Sequence, residues 1–334
     1  MVAEPEAPPS SAQLLPRRQP RGSPDDRKPE AYATTPLLLA GPTAVGKSAI
    51  ALLLAERLGG EIISVDSMQV YRGLDIGTAK PSPADRARVP HHLIDVMAMT
   101  ESFDAAQFVQ LARRAVADVQ SRGRVPILCG GTGLYFKAFL EGLCPAPPVC
   151  DALRAVLEAT PLPELLRELA ERDSVTYERI DRQNFRRVRR AIEVIRLTGK
   201  PFSAQRSNWD QAPCTTQQAA TGFGFIRSAA DLHERIGLRV DAMFREGCVA
   251  ETEQLLKCGL AQNKTAMQAL GYRQIVEHLS GERSLAETIE LVKLRTRQFA
   301  KRQMTWFRRQ LQLSWINLEP QSSAEAVAES IARL

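Results

Sequence analysis

The sequence feature that most constrains the fold is the segment Gly41-Pro42-Thr43-Ala44-Val45-Gly46-Lys47-Ser48. An apolar run at residues 37–40 precedes it, and a helical apolar pattern at residues 49–55 follows it. This order of strand, glycine loop and helix predicts a P-loop. The backbone N–H groups of such a loop and the N-terminus of its helix bind a phosphate or diphosphate group. Lys47 would supply positive charge to the phosphate oxygens, and the Ser48 hydroxyl would bind Mg²⁺.

The sequence after this loop continues to alternate strands and helices. Strands are predicted at residues 61–65, 92–96 and 125–129, and a helix from Asp104 to near Gly123. Asp66 follows the second strand, and the glycine turn Gly130–Gly133 follows the strand at 125–129. This alternation predicts an α/β fold, a P-loop NTPase-like parallel sheet with helices on both faces. Because ligands bind beyond the carboxyl ends of such strands, we expect the P-loop, Asp66 and the glycine turn to converge there.

Helices replace strands after a proline-rich break at residues 144–148. Strand patterns return at residues 222–226 and 314–318, with a long helical stretch from Asp231 to Lys257 between them. We therefore predict an α/β core formed by residues 36–143 and 208–319 and interrupted by a helical insertion at 144–207. Residues 320–334 are predicted to form a C-terminal tail or helix.

The N-terminal segment differs from the rest of the chain. Residues 1–35 contain seven prolines and almost no large apolar residues, which predicts a disordered extension. The 334-residue chain as a whole, with 44% hydrophobic and 25% charged residues, has the composition of a soluble globular protein. No apolar run reaches the length of a membrane span, so we expect no membrane association.

The six cysteines show neither a Cys-x-x-Cys spacing nor a nearby histidine pair. A zinc site and a disulfide framework are therefore not expected, and free thiols in a reducing cytoplasm are the preferred interpretation. The cysteines are Cys129, Cys144, Cys150, Cys214, Cys248 and Cys258.

Two basic segments indicate an anionic partner more strongly than the net charge of +6. Residues 179–190 contain six arginines and one acidic residue on a predicted helix. Residues 291–310 contain seven Lys or Arg residues and no acidic residue, with Trp306 and Phe307 among them. Basic residues mixed with aromatic ones favour single-stranded RNA, because the charges bind phosphates and the rings stack on bases. The alternative is that the charges are only solvated and the aromatic rings belong to the core.

Six motifs in register resemble the tRNA dimethylallyltransferase family. In addition to the P-loop, the resemblance rests on residues 66–81, 90–95, 130–138, 187–194, 269–274 and 301–306, and it extends from about residue 37 to 318. The first of these segments, residues 66–81, reads DSMQVYRGLDIGTAKP. The resemblance implies transfer of a dimethylallyl group from dimethylallyl diphosphate to the exocyclic N6 amine of the adenosine 3′ of the anticodon in tRNA.

The resemblance also implies roles for single residues. The P-loop would bind the prenyl diphosphate with Mg²⁺, and Arg239 would contact the same diphosphate. Asp66 would act as the general base and Thr132 would lie beside the reacting centre. The alternatives are a helix cap or a contact near the metal for Asp66, and a turn residue for Thr132. Gly133 stands where some family members have a bulkier residue, which leaves the channel width open.

The family pattern places tRNA contacts in six parts of the chain. The predicted contacts are Asp66, Ser67, Met68, Gln69, Thr132, Arg154, Arg186, Arg187, Val188, Arg189, Arg190, Gln268, Ala269, Leu270, Gly271, Tyr272, Arg273, Lys301, Arg302, Gln303, Met304, Thr305, Trp306, Phe307 and Arg308. The partner would be the tRNA anticodon stem-loop, and we expect a monomer.

Three other functions share parts of the pattern. A P-loop small-molecule kinase fits the loop equally well, and an adenylate isopentenyltransferase, which prenylates free adenine nucleotides, is a nearer alternative. Neither needs the basic segments at 179–190 and 291–310. A non-enzymatic RNA-binding protein would use those segments but would leave Lys47 and Asp66 without a purpose.

Overall fold

The computed structural model describes residues 35–143, 147, 150–206 and 220–334. The predicted disorder of residues 1–35 lies outside these residues, apart from residue 35, as do Cys144 and Cys214 and most of the proline-rich break. Cys129, Cys150, Cys248 and Cys258 are free thiols.

A six-stranded parallel sheet forms the centre of the molecule. Its strands are β1 (Leu37–Ala40), β2 (Gly60–Val65), β3 (His91–His92), β4 (Val125–Gly130), β5 (Thr221–Ile226) and β6 (Ser314–Asn317). They lie in the order β3-β2-β4-β1-β5-β6. Every residue of β1, β2 and β4 is buried, which fits strands covered by helices on both faces. The predicted α/β fold is confirmed.

Fourteen α-helices are present in the described parts of the chain. They are α1 (Lys47–Leu58), α2 (Pro83–Arg88), α3 (Ala105–Ser121), α4 (Gly133–Glu141), α5 (Asp151–Ala159), α6 (Leu162–Arg172), α7 (Ser174–Arg179), α8 (Phe185–Thr198), α9 (Phe202–Arg206), α10 (Ala229–Arg245), α11 (Cys248–Lys257), α12 (Tyr272–Leu279), α13 (Leu285–Gln310) and α14 (Ala324–Ala332). Side-chain caps fix several of their starts, as at Asp104 before α3 and Ser284 before α13.

Alternating side chains of the strands build two cores on opposite faces of the sheet. Leu38 of β1 packs in the core that contains α3, α4 and the C-terminal part of α13. Leu37 and Leu39 pack in the other core with α1 and α14. Ile331 of α14 is fully buried there, so the C-terminal residues form a helix that closes this face of the sheet.

The helices α5 to α9 surround an apolar cluster of their own. Leu157, Leu165 and Ile192 are among its buried residues. The buried Asp173 carboxylate joins three of the helices, since it accepts hydrogen bonds from Thr176 and Ser203. Because this cluster contains none of the strand residues, the helical segment packs around a core separate from that of the sheet.

Two expected elements differ in the structure. The strand predicted at residues 92–96 ends at His92, because Leu93 and Asp95 have φ values of 62° and 59° and turn the chain. Lys80 and Arg86 bind the Asp95 carboxylate and stabilise that turn. The helical stretch predicted from Asp231 to Lys257 is broken at Gly247, whose φ of 99° separates α10 from α11.

No helix in the described ranges is long and apolar enough to cross a membrane.

Candidate active site at the carboxyl edge of the sheet

The P-loop lies between β1 and α1 and has the backbone that its glycines predict. Gly46 has a φ of 105° and Ala44 a φ of 63°, so the loop turns through the left-handed region at both positions. The Val45 N–H donates to the Pro42 carbonyl at 3.4 Å, and Lys47 Nζ donates to the same oxygen at 3.2 Å. The lysine ammonium is thereby held over the loop.

Two arginines that the sequence analysis missed support this loop from outside. Arg227 Nε donates to the Val45 carbonyl at 2.8 Å, and Arg235 Nε donates to the Ala44 carbonyl at 2.9 Å. Asp231 forms a 2.7 Å ion pair with Arg227, whose side chain is 5% exposed. One signal was available, because Arg235 precedes the predicted diphosphate ligand Arg239 by four residues and so shares its helix face.

A cleft of about 340 Å³ opens beside the P-loop. Lys47, Ser48 and Arg239 line it together with Leu238, which is 63% exposed. Burial lowers the pKa of Lys47 below the usual 10.5, and the Arg239 charge adds to this lowering while Cys129 and Asp66 oppose it. Burial also lowers the pKa of Arg239. Two desolvated cations at one cleft favour an anionic ligand, which would compensate both charges.

The residues at this cleft fit a Mg²⁺ ion that is bound mainly through its anionic substrate. Ser48 is exposed at the first turn of α1, where its hydroxyl is available as one oxygen ligand. Among the residues that the structure describes, no group of three His, Cys, Asp or Glu side chains could hold a metal. Mg²⁺ commonly binds through one or two protein oxygens with phosphate oxygens and water, so Ser48 fits this role.

Asp66 lies at the end of β2 and organises the turn that follows. Its Oδ1 accepts hydrogen bonds from the Met68 N–H at 2.8 Å and the Gln69 N–H at 3.3 Å. The Ser67 N–H donates to Thr132 Oγ1 at 3.2 Å. Asp66 and Thr132 therefore lie in adjacent loops, as the order of the strands predicts. The two N–H groups that donate to Asp66 are the contacts of a cap, which was the alternative interpretation of this residue.

The Asp66 carboxylate also lies within electrostatic range of the cations at the cleft beside the P-loop. Its charge counteracts the burial that lowers the pKa of Arg239, and it acts in the same direction on Lys47. Burial raises the pKa of the neighbouring Cys129 thiol to about 11, so this cysteine stays protonated at neutral pH. The Cys129 thiol therefore does not act as a base at this edge of the sheet.

The Gln69 side chain is used within the protein. Its Oε1 accepts from Ser64 Oγ at 2.9 Å, and its Nε2 donates to the carbonyls of Thr78 and Ala79. Glu251 supports the same turn, because its carboxylate accepts from the backbone amides of residues 75–77. Hydrogen bonds to the loop at residues 75–79 thus hold the turn that follows Asp66 in place.

Helix α13 crosses both loops of the site. Gln303 Oε1 accepts from the Thr43 N–H of the P-loop at 2.9 Å, and Gln303 Nε2 donates to the Gly131 carbonyl at 2.8 Å. One turn further, the Trp306 ring lies so close to Gly133 that a side chain there would overlap it. The glycine at 133, which left the channel width open, makes room for this indole.

Comparison with known proteins shows which family has this arrangement. The family model described as IPP transferase matches residues 69–310, more than half of the chain. The chain belongs to the IPP transferase family. The matched range begins after the P-loop and Asp66, so the assignment of those two features rests on their geometry.

Relatives of this family member cover nearly the whole chain. A tRNA dimethylallyltransferase from Geobacter metallireducens is 46% identical over 291 residues, or 86% of this chain and 94% of the relative. One from Halorhodospira halophila is 47% identical over 283 residues, which cover 83% and 91%.

Solved structures give the same result. The crystal structure of a tRNA isopentenylpyrophosphate transferase from Bacillus halodurans matches with a TM-score of 0.65 and 36% identity, covering 90% of this chain and 95% of that one. A eukaryotic dimethylallyltransferase acting on tRNA matches with a TM-score of 0.76 and 26% identity, covering 89% and 77%.

Several side chains predicted to contact tRNA are buried in this member of the IPP transferase family. Val188 lies in the core of the helical segment, Phe307 packs against Phe136, and the Tyr272 hydroxyl donates to Glu251 at 2.6 Å. These side chains fill cores of the described structure and present little surface to an RNA, so contact of these residues with tRNA stays a prediction. Ala269, Gly271 and Gln303 are buried too.

The polar neighbours of these buried residues face outwards. The exposed members of the predicted set are Arg154, Arg186, Arg187, Gln268, Arg273, Lys301, Arg302, Thr305 and Arg308. Ser67, Met68, Leu270, Met304 and Trp306 are half-buried. The exposed set contains seven basic residues from four separate helices, so charge complementary to a polyanion is available.

Acidic partners hold some arginines of α8. Arg190 binds the buried Glu193 at 2.6 Å, and Arg154 of α5 binds the same carboxylate at 2.7 Å. Arg189 binds Glu158 at 3.2 Å, and its guanidinium lies over the Phe185 ring. Arg186 and Arg187 are exposed, and they are therefore the arginines of this helix best placed for a partner.

Proposed function

We propose that this chain transfers the dimethylallyl group of dimethylallyl diphosphate to the N6 amine of the adenosine 3′ of the anticodon in tRNA and releases diphosphate. One observation carries the proposal. A P-loop cleft with two desolvated cations lies next to a carboxylate at the same sheet edge, in a chain 46% identical to a tRNA dimethylallyltransferase.

The leaving diphosphate would be bound by the P-loop amides, Lys47 and Arg239. Negative charge develops on the diphosphate as the C1–O bond breaks, and positive groups fixed at that position lower the barrier. When bound at Ser48, Mg²⁺ would neutralise further charge on the same oxygens. The cleft therefore serves as a cradle for the leaving group, and no phosphoryl group is transferred.

The acceptor amine would meet the prenyl C1 between the two loops. As the N6–C1 bond forms, the nitrogen must lose a proton, and Asp66 is the group assigned to accept it. Thr132 would position this reaction through its contact with the Ser67 N–H. The leaving group and the proton would thus be bound at different places. The electron pair of the broken bond leaves with diphosphate at the P-loop, and the proton goes to Asp66.

The RNA would be bound by the exposed basic residues of α8, α12 and α13. Their phosphate contacts would position the anticodon stem-loop, while the target base is taken out of the loop and enters the site. Because one chain supplies the cradle, the base and the basic surfaces, we infer that a monomer is sufficient.

The proposal is tested by incubating the protein with dimethylallyl diphosphate, Mg²⁺ and an unmodified anticodon stem-loop, followed by mass analysis of the nucleosides. A product heavier by one dimethylallyl group at the adenosine 3′ of the anticodon is expected. Parallel reactions with AMP as acceptor and with ATP alone test the adenylate isopentenyltransferase and the kinase. Absence of prenylated adenosine in the RNA would refute the proposal.

A further inference from the structure

Gln303 makes a bridge between the two substrate loops. Its side chain is 8% exposed and forms the two hydrogen bonds to the Thr43 N–H and the Gly131 carbonyl. Only one orientation of the amide satisfies both bonds, since the opposite one would place NH₂ against N–H and oxygen against oxygen. A glutamine at this position is therefore specified by its donor and acceptor as well as by its volume.

The residues around the bridge are shaped to admit it. A Cβ at Gly131 would overlap the Gln303 amide, so the glycine is needed for the side chain to reach the loop. Gly131 precedes Thr132, whose Oγ1 accepts from the Ser67 N–H next to Asp66. The bridge thus continues from the diphosphate loop to the loop of the assigned base.

We propose that Gln303 is a positioning residue that fixes the P-loop relative to the Asp66–Thr132 loops, and that it makes no contact with tRNA. The inference rests on the proposed function and deepens it. Transfer requires the leaving oxygen, the prenyl carbon and the acceptor nitrogen in line, and a displacement of about 1 Å can cost about 100-fold in rate. The buried Gln303 amide keeps the P-loop, which binds the leaving group, at a constant distance from the loops that position the acceptor.

The first test compares Gln303→Met with Arg302→Met. Methionine fills the space of the glutamine but forms neither hydrogen bond. We expect kcat to fall about 30- to 100-fold, the Kd of inorganic diphosphate measured without RNA to rise about fivefold, and the tRNA Kd to stay within twofold of the wild type. Arg302 is exposed one residue earlier on the helix, and its replacement should weaken tRNA binding and leave the diphosphate Kd unchanged.

A second test separates hydrogen bonding from packing. In Gln303→Glu, the introduced carboxyl can donate to the Gly131 carbonyl only when it is protonated. Diphosphate affinity, normalised to the wild type at each pH, should therefore recover as the pH is lowered. Recovery that stops at the affinity of Gln303→Met would mean that only the repulsive charge is removed, whereas recovery beyond that level requires the restored hydrogen bond.

Gly131→Ala provides a variant that keeps Gln303 but displaces it. It should reproduce the kcat loss, and the double variant with Gln303→Met should be less impaired than the product of the two single effects. This variant also serves if Gln303→Met fails to fold, which thermal unfolding will show.

The outcomes separate this inference from the proposed function. Wild-type protein that binds diphosphate but prenylates no RNA refutes the proposed function, while the diphosphate affinities of the variants still decide the role of Gln303. An active wild type with unchanged kcat and diphosphate Kd in Gln303→Met refutes the bridge alone. A tRNA Kd that rises in Gln303→Met as much as in Arg302→Met would make Gln303 an RNA contact and overturn the inference.

Discussion

Replacing Asp66 by asparagine removes the assigned proton acceptor while keeping the oxygen that the neighbouring turn uses. Oδ1 accepts from the backbone amides of Met68 and Gln69 at 2.8 and 3.3 Å, and the asparagine oxygen can accept both bonds. Asp66→Asn should therefore fold with a stability close to that of the wild type. Only the capacity to take up the N6 proton is lost.

The expected loss of rate follows from this difference. A positioned general base contributes about 10²- to 10⁴-fold, so single-turnover prenyl transfer should slow by about that factor. This corresponds to about 3 to 5.5 kcal/mol in the activation barrier. Asp66→Ala also removes both hydrogen bonds to the turn, which costs about 2 kcal/mol of stability in addition to the chemistry.

Asp66→Asn should slow the transfer without weakening the binding of diphosphate. Asp66 raises the pKa values of Lys47 and Arg239 against the effect of burial, and its negative charge repels the diphosphate that these cations bind. Asp66→Asn should therefore bind inorganic diphosphate as tightly as the wild type or more tightly, and tRNA within twofold.

The assay is a single-turnover reaction of preformed enzyme–tRNA complex with labelled dimethylallyl diphosphate, with calorimetry for diphosphate and filter binding for tRNA. The reasoning is refuted if Asp66→Asn transfers the prenyl group within a few-fold of the wild-type rate. It is also refuted if the variant loses tRNA affinity while the chemistry in bound complexes is retained.

The other predictions concern charge. Burial lowers the pKa of Lys47, so its ammonium loses its proton as the pH is raised, and diphosphate affinity should start to decrease at a pH lower than 10.5. Lys47→Met should bind diphosphate about 10- to 100-fold more weakly in calorimetry, without this pH dependence. Arg186→Glu with Arg187→Glu should weaken tRNA binding and reduce the slope of log Kd against log salt by about two, and an unchanged slope would exclude phosphate contacts by these residues. Glu61 of β2 is buried and pairs with Arg122 and His92. Burial alone would raise its pKa, but the hydrogen bonds with Arg122 and His92 outweigh burial and lower the pKa. Glu61→Gln should therefore cost about 1–2 kcal/mol in denaturant unfolding at pH 7, and this difference should shrink as the pH falls below 4.5 through the lowered pKa.

Local features of the fold were predictable where the signal lies in neighbouring residues. The P-loop, the strands of the sheet and the helix starting after Asp104 depend on contiguous apolar runs, glycines and caps, and each was found close to its predicted position. The strand at 92–96 failed because its conformation depends on Lys80 and Arg86, which bind Asp95 from another part of the chain. Its sequence pattern alone contains no trace of those partners.

Helix α13, which carries the basic segment 291–310, shows the same difference between local and long-range information. Helical spacing predicts that Ala300, Gln303 and Phe307 share a face and that Lys301 and Arg308 do not. The spacing does not predict which elements pack against that face. The predicted RNA contacts therefore include Gln303 and Phe307 together with their exposed neighbours. The structure places the P-loop and the Gly131 turn against Gln303 and the sheet core against Phe307.

The sequence by itself determined that a phosphate loop, a carboxylate and a glycine turn would meet at the carboxyl ends of parallel strands, because the order of elements along the chain dictates that edge. Only the tertiary structure decided which long-range side chains hold these parts together. Arg227, Arg235 and Gln303 bind backbone groups that lie 172 to 260 residues away in the chain. The reason is physical, since a side chain's partner is set by the packing of distant helices onto the sheet and not by the residues beside it in the chain.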